Sequence, residues 1–287
     1  MSQQQVSTIK PNGFVLAAIV LTVIIVLNWY FFLPGDPVLT YEVFQLSNLA
    51  LLERDTLYLW INLFTISGPL ILSFDKKVAF WRSWKYVFPS IFLTMLVFIP
   101  WDIVFTRVGV WGFNPNYYFE PGKLLSLPPG EWLFFITVPY ACIFIYACLL
   151  AYVKKDVLKP AEPYLSYGFM AICLIAAISF WGNLYTSTTC LLTAGLIAAH
   201  VWIWKSPWLS RFYLAYFVSL FPFFLVNGML TGGFTENPVV LYNDLENMGL
   251  RVTSIPADDL IYALLLLLMN MSWLEFFRRS RNLSTSN

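Results

Sequence analysis

Residues 253–273 read TSIPADDLIYALLLLLMNMSW, with Asp258 and Asp259 side by side directly before Leu260-Ile261-Tyr262 and a run of leucines. The apolar run is long enough to cross the ~30 Å hydrocarbon core of a bilayer. A carboxylate entering such a helix costs several kcal/mol, about 2.5–3.5 at the bilayer centre even on lenient insertion scales. The stretch therefore reads as a membrane helix that opens on an acidic turn, and the two aspartates need a reason to be there.

The whole chain has the same character. Of its 287 residues, 59% are hydrophobic and only 11% charged, where a soluble domain carries roughly a quarter charged. Mean hydropathy is +0.68. Apolar stretches of bilayer length recur at 13–33, 56–74, 87–106, 131–153, 164–182, 185–204, 211–231 and 257–277. The expected fold is an all-α polytopic membrane protein of about eight transmembrane helices. The first stretch is followed by Phe31-Phe32-Leu33-Pro34 without a small-residue cleavage site, so it reads as a retained span. With the N-terminus inside, only Arg54, Arg107, Lys123 and Arg251 of the 17 Lys and Arg residues fall outside. Basic residues concentrate in cytoplasmic loops, which places both termini in the cytoplasm. A net charge of +1 offers no nucleic-acid surface. Cys142, Cys148, Cys173 and Cys190 all lie in apolar spans without a C-x-x-C pair, and they read as packing residues.

The acidic turn has a counterpart. Ser126-Leu127-Pro128-Pro129-Gly130-Glu131 lines up with Ser254-Ile255-Pro256-Ala257-Asp258-Asp259, and an apolar helix follows each. Phe98-Ile99-Pro100 echoes Leu220-Phe221-Pro222, and Gly112-Phe113-Asn114 echoes Gly233-Phe234-Thr235. The motifs are four spans apart and so face one side of the membrane, which predicts two parallel pseudo-repeats. The expected organisation is an extra helix and outer loop at 1–56, a first repeat at 57–158 and a second at 159–287. Each repeat delivers one acidic turn to the outer face.

Proline near the first helical position with an acid in the first turn is also an ordinary helix start. Two features favour chemistry. The turn is duplicated, and Asp102, in Ile99-Pro100-Trp101-Asp102-Ile103, is a third acid inside a span, where ionisable residues are functional by default. Asn62, Asn227 and Asn270 are further polar intrusions that helix–helix hydrogen bonding explains. The single histidine, His200, excludes a multi-histidine metal centre and reads as an isolated interfacial polar group. No G-x-G-x-x-G follows a strand and no P-loop is present. Asn243-Asp244-Leu245-Glu246 is a faint match to a magnesium–diphosphate box without a second acidic box. A few carboxylates in an aromatic membrane interior suit proton transfer to a very apolar substrate.

Trp101-Asp102, Val110-Trp111-Gly112-Phe113-Asn114 and Leu127-Pro128-Pro129-Gly130-Glu131-Trp132-Leu133-Phe134-Phe135 resemble the first half of the two-subunit type of lycopene β-cyclase. Arg251 through Ile255-Pro256-Ala257-Asp258-Asp259-Leu260-Ile261-Tyr262-Ala263 resembles its second half. The likeness runs from about 57 to 277 and matches the fused bacterial form. One position departs: the family's first motif often reads P-x-E-E, and Gly130 stands where the earlier acid would be.

The resemblance implies redox-neutral cyclisation of the ψ ends of lycopene to β rings, giving β-carotene by way of γ-carotene, with neither cofactor nor metal. It implies lycopene and related acyclic carotenoids as substrates, in contact with membrane lipid in the bacterial inner membrane, and allows contacts with other carotenoid-pathway enzymes. An acid protonates the terminal alkene, the C5–C6 alkene attacks the resulting cation, and proton loss leaves the β-ionone double bond. Burial favours the neutral acid this needs, whereas a helix start favours the anion. Glu131 and Asp259 are the expected core pair, with Asp258 and Asp102 behind them. Trp101, Trp111, Phe113, Asn114 and Trp132 are the expected substrate contacts; an aromatic face steadies a cation by ~0.5–2 kcal/mol. Two other classes share part of this inventory. A membrane prenyltransferase or elongase would need the 243–246 stretch, and a carotenoid carrier would use the acids only as helix caps.

Overall fold

The computed structural model describes residues 46, 49–52, 54–118 and 123–284. The expected span at 13–33 lies outside the described residues. Seven helices carry the rest: α1 (Leu57–Leu72), α2 (Trp84–Val108), α3 (Pro129–Tyr152), α4 (Glu162–Ser179), α5 (Leu184–Ala198), α6 (Leu209–Leu230) and α7 (Ala257–Ser284). Six are long and apolar enough to cross a membrane, and α1, at 16 residues, is shorter. Large apolar side chains such as Phe221, Ile178, Ile175 and Ile71 stand exposed on the helix surfaces. In water such patches would drive aggregation; in a bilayer they meet acyl chains at no cost. This is an all-α membrane protein.

Local chemistry sets the ends. Gly109 closes α2 in a left-handed conformation at φ 76°, its N–H bonding the carbonyl of Phe105. Pro129 opens α3, where the missing N–H is no loss. α5 ends in a π-helical turn over Ala199–Ile203 that carries His200. Far from sitting at an interface, the His200 ring is buried and bridges the hydroxyls of Ser206 at 2.8 Å and Ser272 at 2.7 Å. Pro100 and Pro222, the echoing prolines, both lie inside their helices, α2 and α6.

The packing repeats. α1 lies on α3, as α5 lies on α7, so each acid-bearing helix is flanked by the helix two before it. α2 packs on α7 and α6 on α3, so each is also flanked by the helix that directly precedes the other acid-bearing helix. α3 and α7 touch at the centre.

Two short ribbons lie outside the helices. β1 (Trp111–Phe113) pairs antiparallel with β2 (Val240–Tyr242), setting Trp111 opposite Tyr242 and joining the two repeats. β3 (Arg251–Val252) folds back on β4 (Ile255–Pro256) just before α7, and a Leu124–Leu127 bridge makes the same turn before α3. Thr253 in one turn, and Leu125 and Ser126 in the other, take positive φ. The Gly233-Phe234-Thr235 echo forms no strand: the carbonyls of Gly233 and Phe234 are taken by the N–H groups of Leu46 and Leu49, and β1 finds its partner further on.

Candidate active site

α3 and α7 start at the same point of their repeats, and each buries the acid of its first turn. Glu131 is 8% exposed and Asp259 5%, while Asp102, within α2, is 2% exposed. Glu131, Asp259 and Asp102 line one open-sided cavity, with about 1050 Å³ of space free of protein atoms when the open space at its mouth is included. Tyr58, Trp111, Phe113, Tyr185, Tyr242 and Tyr262 wall its acidic end. Down α3 the lining reaches Ile145, 14 residues beyond Glu131, or roughly 21 Å at 1.5 Å per residue. The lining away from the carboxyls is mostly apolar, with Leu220, Phe223, Leu266 and Leu267 among its side chains.

The carboxyls are held by neutral donors. Tyr185 donates its hydroxyl to Asp259 Oδ1 at 2.5 Å. Asn227 Nδ2 and the Tyr242 hydroxyl donate to Asp259 Oδ2 at 2.7 and 2.9 Å. Tyr58 donates to Glu131 Oε2. Trp111 Nε1 donates to Asp102 Oδ1 at 2.5 Å, and the Thr106 hydroxyl reaches the same oxygen at 3.4 Å. The other oxygen of Asp102, Oδ2, is buried and has no hydrogen-bond partner. The Asp102 and Glu131 carboxyls are close enough to interact, though not at ordinary hydrogen-bond geometry. Tyr242, in the loop ribbon, is pushed well above the usual phenol range by burial and then by the Asp259 carboxylate beside it, so it remains a donor.

Asp258 faces elsewhere. Its Oδ1 accepts from the Thr186 hydroxyl at 2.5 Å and its Oδ2 from the Met248 N–H at 3.1 Å, which ties α7 to the start of α5 and to the preceding loop. Its counterpart Gly130 lies against Tyr58: a Cβ built there would stand 2.3 Å from Tyr58 Cγ. No side chain fits at 130 while Tyr58 holds Glu131.

The expected substrate contacts divide. Trp111 and Phe113 line the cavity; Trp101, Trp132 and Asn114 do not. Trp101 is packed behind Tyr262, ring centroids 5.4 Å apart. Trp132 Nε1 donates to the Leu124 carbonyl at 3.2 Å. Asn114 caps the short turn at Pro115–Tyr117, and its Nδ2 donates to the Pro238 carbonyl at 3.0 Å. Tyr58, Tyr185 and Tyr242 escaped the sequence reading, and Asn227, expected to make an interhelical hydrogen bond, makes it to Asp259. One signal was present: Tyr58 lies 73 residues before Glu131, and Tyr185 lies 74 before Asp259.

The 243–246 stretch is committed to the fold. Asn243 Oδ1 caps the Leu245 N–H at 3.1 Å, Asp244 pairs with Arg251 at 2.7 Å, and Glu246 Oε2 accepts the Leu184 N–H at the start of α5 at 2.9 Å. Burial pushes the Glu246 carboxyl up, opposed by that N–H. Among the described residues, no cluster of three His, Cys, Asp or Glu side chains is arranged to hold a metal ion.

No curated protein and no solved structure matches the chain. A family model described as lycopene cyclase matches twice, over residues 55–149 and 182–277, together about two thirds of the sequence. The two matches cover α1–α3 with β1 and α5–α7 with β2, and leave α4 between them. Each match contributes acids to the one cavity. The chain is a member of the lycopene cyclase family.

Proposed function

We propose that the protein is a lycopene β-cyclase, an isomerase that closes the ψ end groups of lycopene to β rings, one ring per visit of a chain end to the cavity. A proton adds to C2 of the terminal alkene and leaves a tertiary cation at C1. The C5–C6 alkene attacks, forming the C1–C6 bond and moving the cation to C5. Loss of the C6 proton completes the C5–C6 double bond of the β ring. One proton enters and one leaves, so the step balances without oxidant or reductant, and this reading calls for neither flavin nor metal.

The observation that carries it is the meeting of Glu131, Asp102 and Asp259, from both repeats, at one end of an apolar cavity walled by aromatic rings. Trp111, Tyr185 and Tyr262 pack edge-on to one another, with centroids 5.0–6.1 Å apart, beside the acids. Aromatic faces at a carbocation contribute ~0.5–2 kcal/mol each, and a fixed carboxylate contributes more. Glu131, Asp259 and Asp102 are the proposed catalytic acids and bases; Trp111 and Phe113 touch the substrate. Asp258 organises the helix start. On this reading both termini face the cytoplasm of a bacterial inner membrane and the acids lie toward its outer face.

Expression in a lycopene-accumulating bacterial host tests the proposal. Monocyclic and bicyclic carotenes with β rings at unchanged mass support it. An added prenyl unit would replace it with a transferase, and unchanged lycopene bound to the purified protein with a carrier. The purified protein should show no flavin absorbance.

A further inference from the structure

The two acid turns differ in what stands beside them. Asp102, on α2, stands beside Glu131, and Asn227, on α6, beside Asp259; they lie two and five residues beyond the echoing Pro100 and Pro222, so they are counterparts in role and not in register. The Asp259 carboxyl accepts from three side chains, the Tyr185 hydroxyl, the Asn227 amide and the Tyr242 hydroxyl. Three neutral donors converging on two oxygens make a site for an anion. Beside Glu131 there is no amide but a second carboxyl, Asp102, whose buried Oδ2 has no hydrogen-bond partner. Two carboxyls this close in an apolar cavity do not both ionise, so such a pair keeps a proton. The shared proton belongs to the pair: Oδ1 of Asp102 accepts from Trp111 and Oε2 of Glu131 from Tyr58, which leaves the other oxygen of each carboxyl to carry it.

Resting on the cyclase reading above, we propose that the repeats divide the acid–base work. The Asp102–Glu131 pair delivers the proton to C2. Asp259, held by Tyr185, Asn227 and Tyr242, stays a carboxylate that steadies the ring cation and takes the C6 proton. The proton then passes from Asp259 back to the Asp102–Glu131 pair across the shared cavity, which restores the starting state. Asn227, Tyr185 and Tyr242 are positioning residues on this account, and an amide beside Asp259 against a carboxyl beside Glu131 makes one acid turn the acceptor and the other the donor.

Heavy water separates the two roles. Membranes carrying the full chain are incubated with lycopene in heavy water, and the carotenoids are analysed by mass spectrometry. The unaltered protein should place one deuterium in each ring formed. Asp102→Asn and Glu131→Gln should give neither rings nor deuterium in the recovered lycopene, at normal membrane level and with lycopene still bound. Asp259→Asn should lower ring formation at least about 100-fold while the recovered lycopene still gains deuterium, because the donor pair can deliver a deuteron and retrieve a proton from the same chain end. Tyr242→Phe, which leaves all three carboxyls in place, should lower ring formation more than deuterium uptake and lower kcat more than it raises KM. Deuterium uptake that survives Asp102→Asn but not Asp259→Asn would reverse the assignment, and its loss in both would end the division of labour. Absence of rings from the unaltered protein would instead overturn the cyclase reading itself.

Discussion

The turns that open α3 and α7 share one backbone plan and use their side chains differently. Glu131 and Asp259 both line the cavity and both receive a tyrosine hydroxyl from the helix two before their own, α1 or α5. One residue earlier the likeness ends. Asp258 is a joint, accepting from Thr186 and Met248, whereas Gly130 is a space filled by the Tyr58 ring. Paired aspartates look like a catalytic pair in a sequence; here one faces the cavity and its neighbour holds the scaffold. The position that adds a second carboxyl to the site is Asp102, on another helix.

The largest effect that would break this comparison comes from separating the repeats. Residues 1–158 and 159–287 made as separate chains should cyclise only when co-expressed, since α2 packs on α7, α6 on α3, and the cavity draws acids from both. Arg211 NH1 also reaches back to the Val153 carbonyl across the cut. Ring formation by either piece alone would mean that each repeat has its own site.

Asp259→Asn and Glu131→Gln come next. Each keeps the shape of the side chain and removes its proton chemistry, worth ~10²–10⁴ in rate. Lycopene should replace cyclic carotene in pigment extracts normalised to protein level. Near-normal bicyclic product from both variants would reduce these residues to helix starts.

Tyr242→Phe removes one of three donors to Asp259. One hydrogen bond to a charged group is worth about 1.5–3 kcal/mol, so turnover should fall about 10- to 100-fold. Gly130→Glu would supply the acid that the related motif often has. The new Cβ meets the root of the Tyr58 ring rather than its flexible end. Overpacking of that kind costs about 1–3 kcal/mol, so Tyr58 should leave Glu131 and product should fall about tenfold. A gain in activity would show that the space at 130 has no such role.

The smallest effect is expected at Asp258. Asp258→Asn keeps an acceptor for Thr186 but can turn a donor toward the Met248 N–H, a loss of about 1–3 kcal/mol in stability. Protein level should drop while cyclic product per protein stays close to normal. A loss per protein as deep as that of Asp259→Asn would put Asp258 in the chemistry.

Much of the molecule was legible in order of residues alone. Apolar runs of bilayer length can bury their backbone polar groups only by becoming helices, so the spans from 56 to 277 followed from composition. The duplicated turn pointed to two repeats, in keeping with the two regions the family model matches, and the acids at 131, 259 and 102 stood out because charge inside a span is costly. Tertiary packing decided the rest. Asp258 and Asp259 are neighbours in sequence, yet a helix turns its side chains by about 100° per residue, and only the surroundings determine which one enters the cavity. Tyr58, Tyr185 and Tyr242 are three of 16 tyrosines; nothing local distinguishes a tyrosine that binds a carboxyl across helices from one that packs. The role of Asn227 and the reason for Gly130 likewise exist only between elements, because a hydrogen bond to Asp259 and a ring against a Cα depend on how α1, α3, α6 and α7 meet.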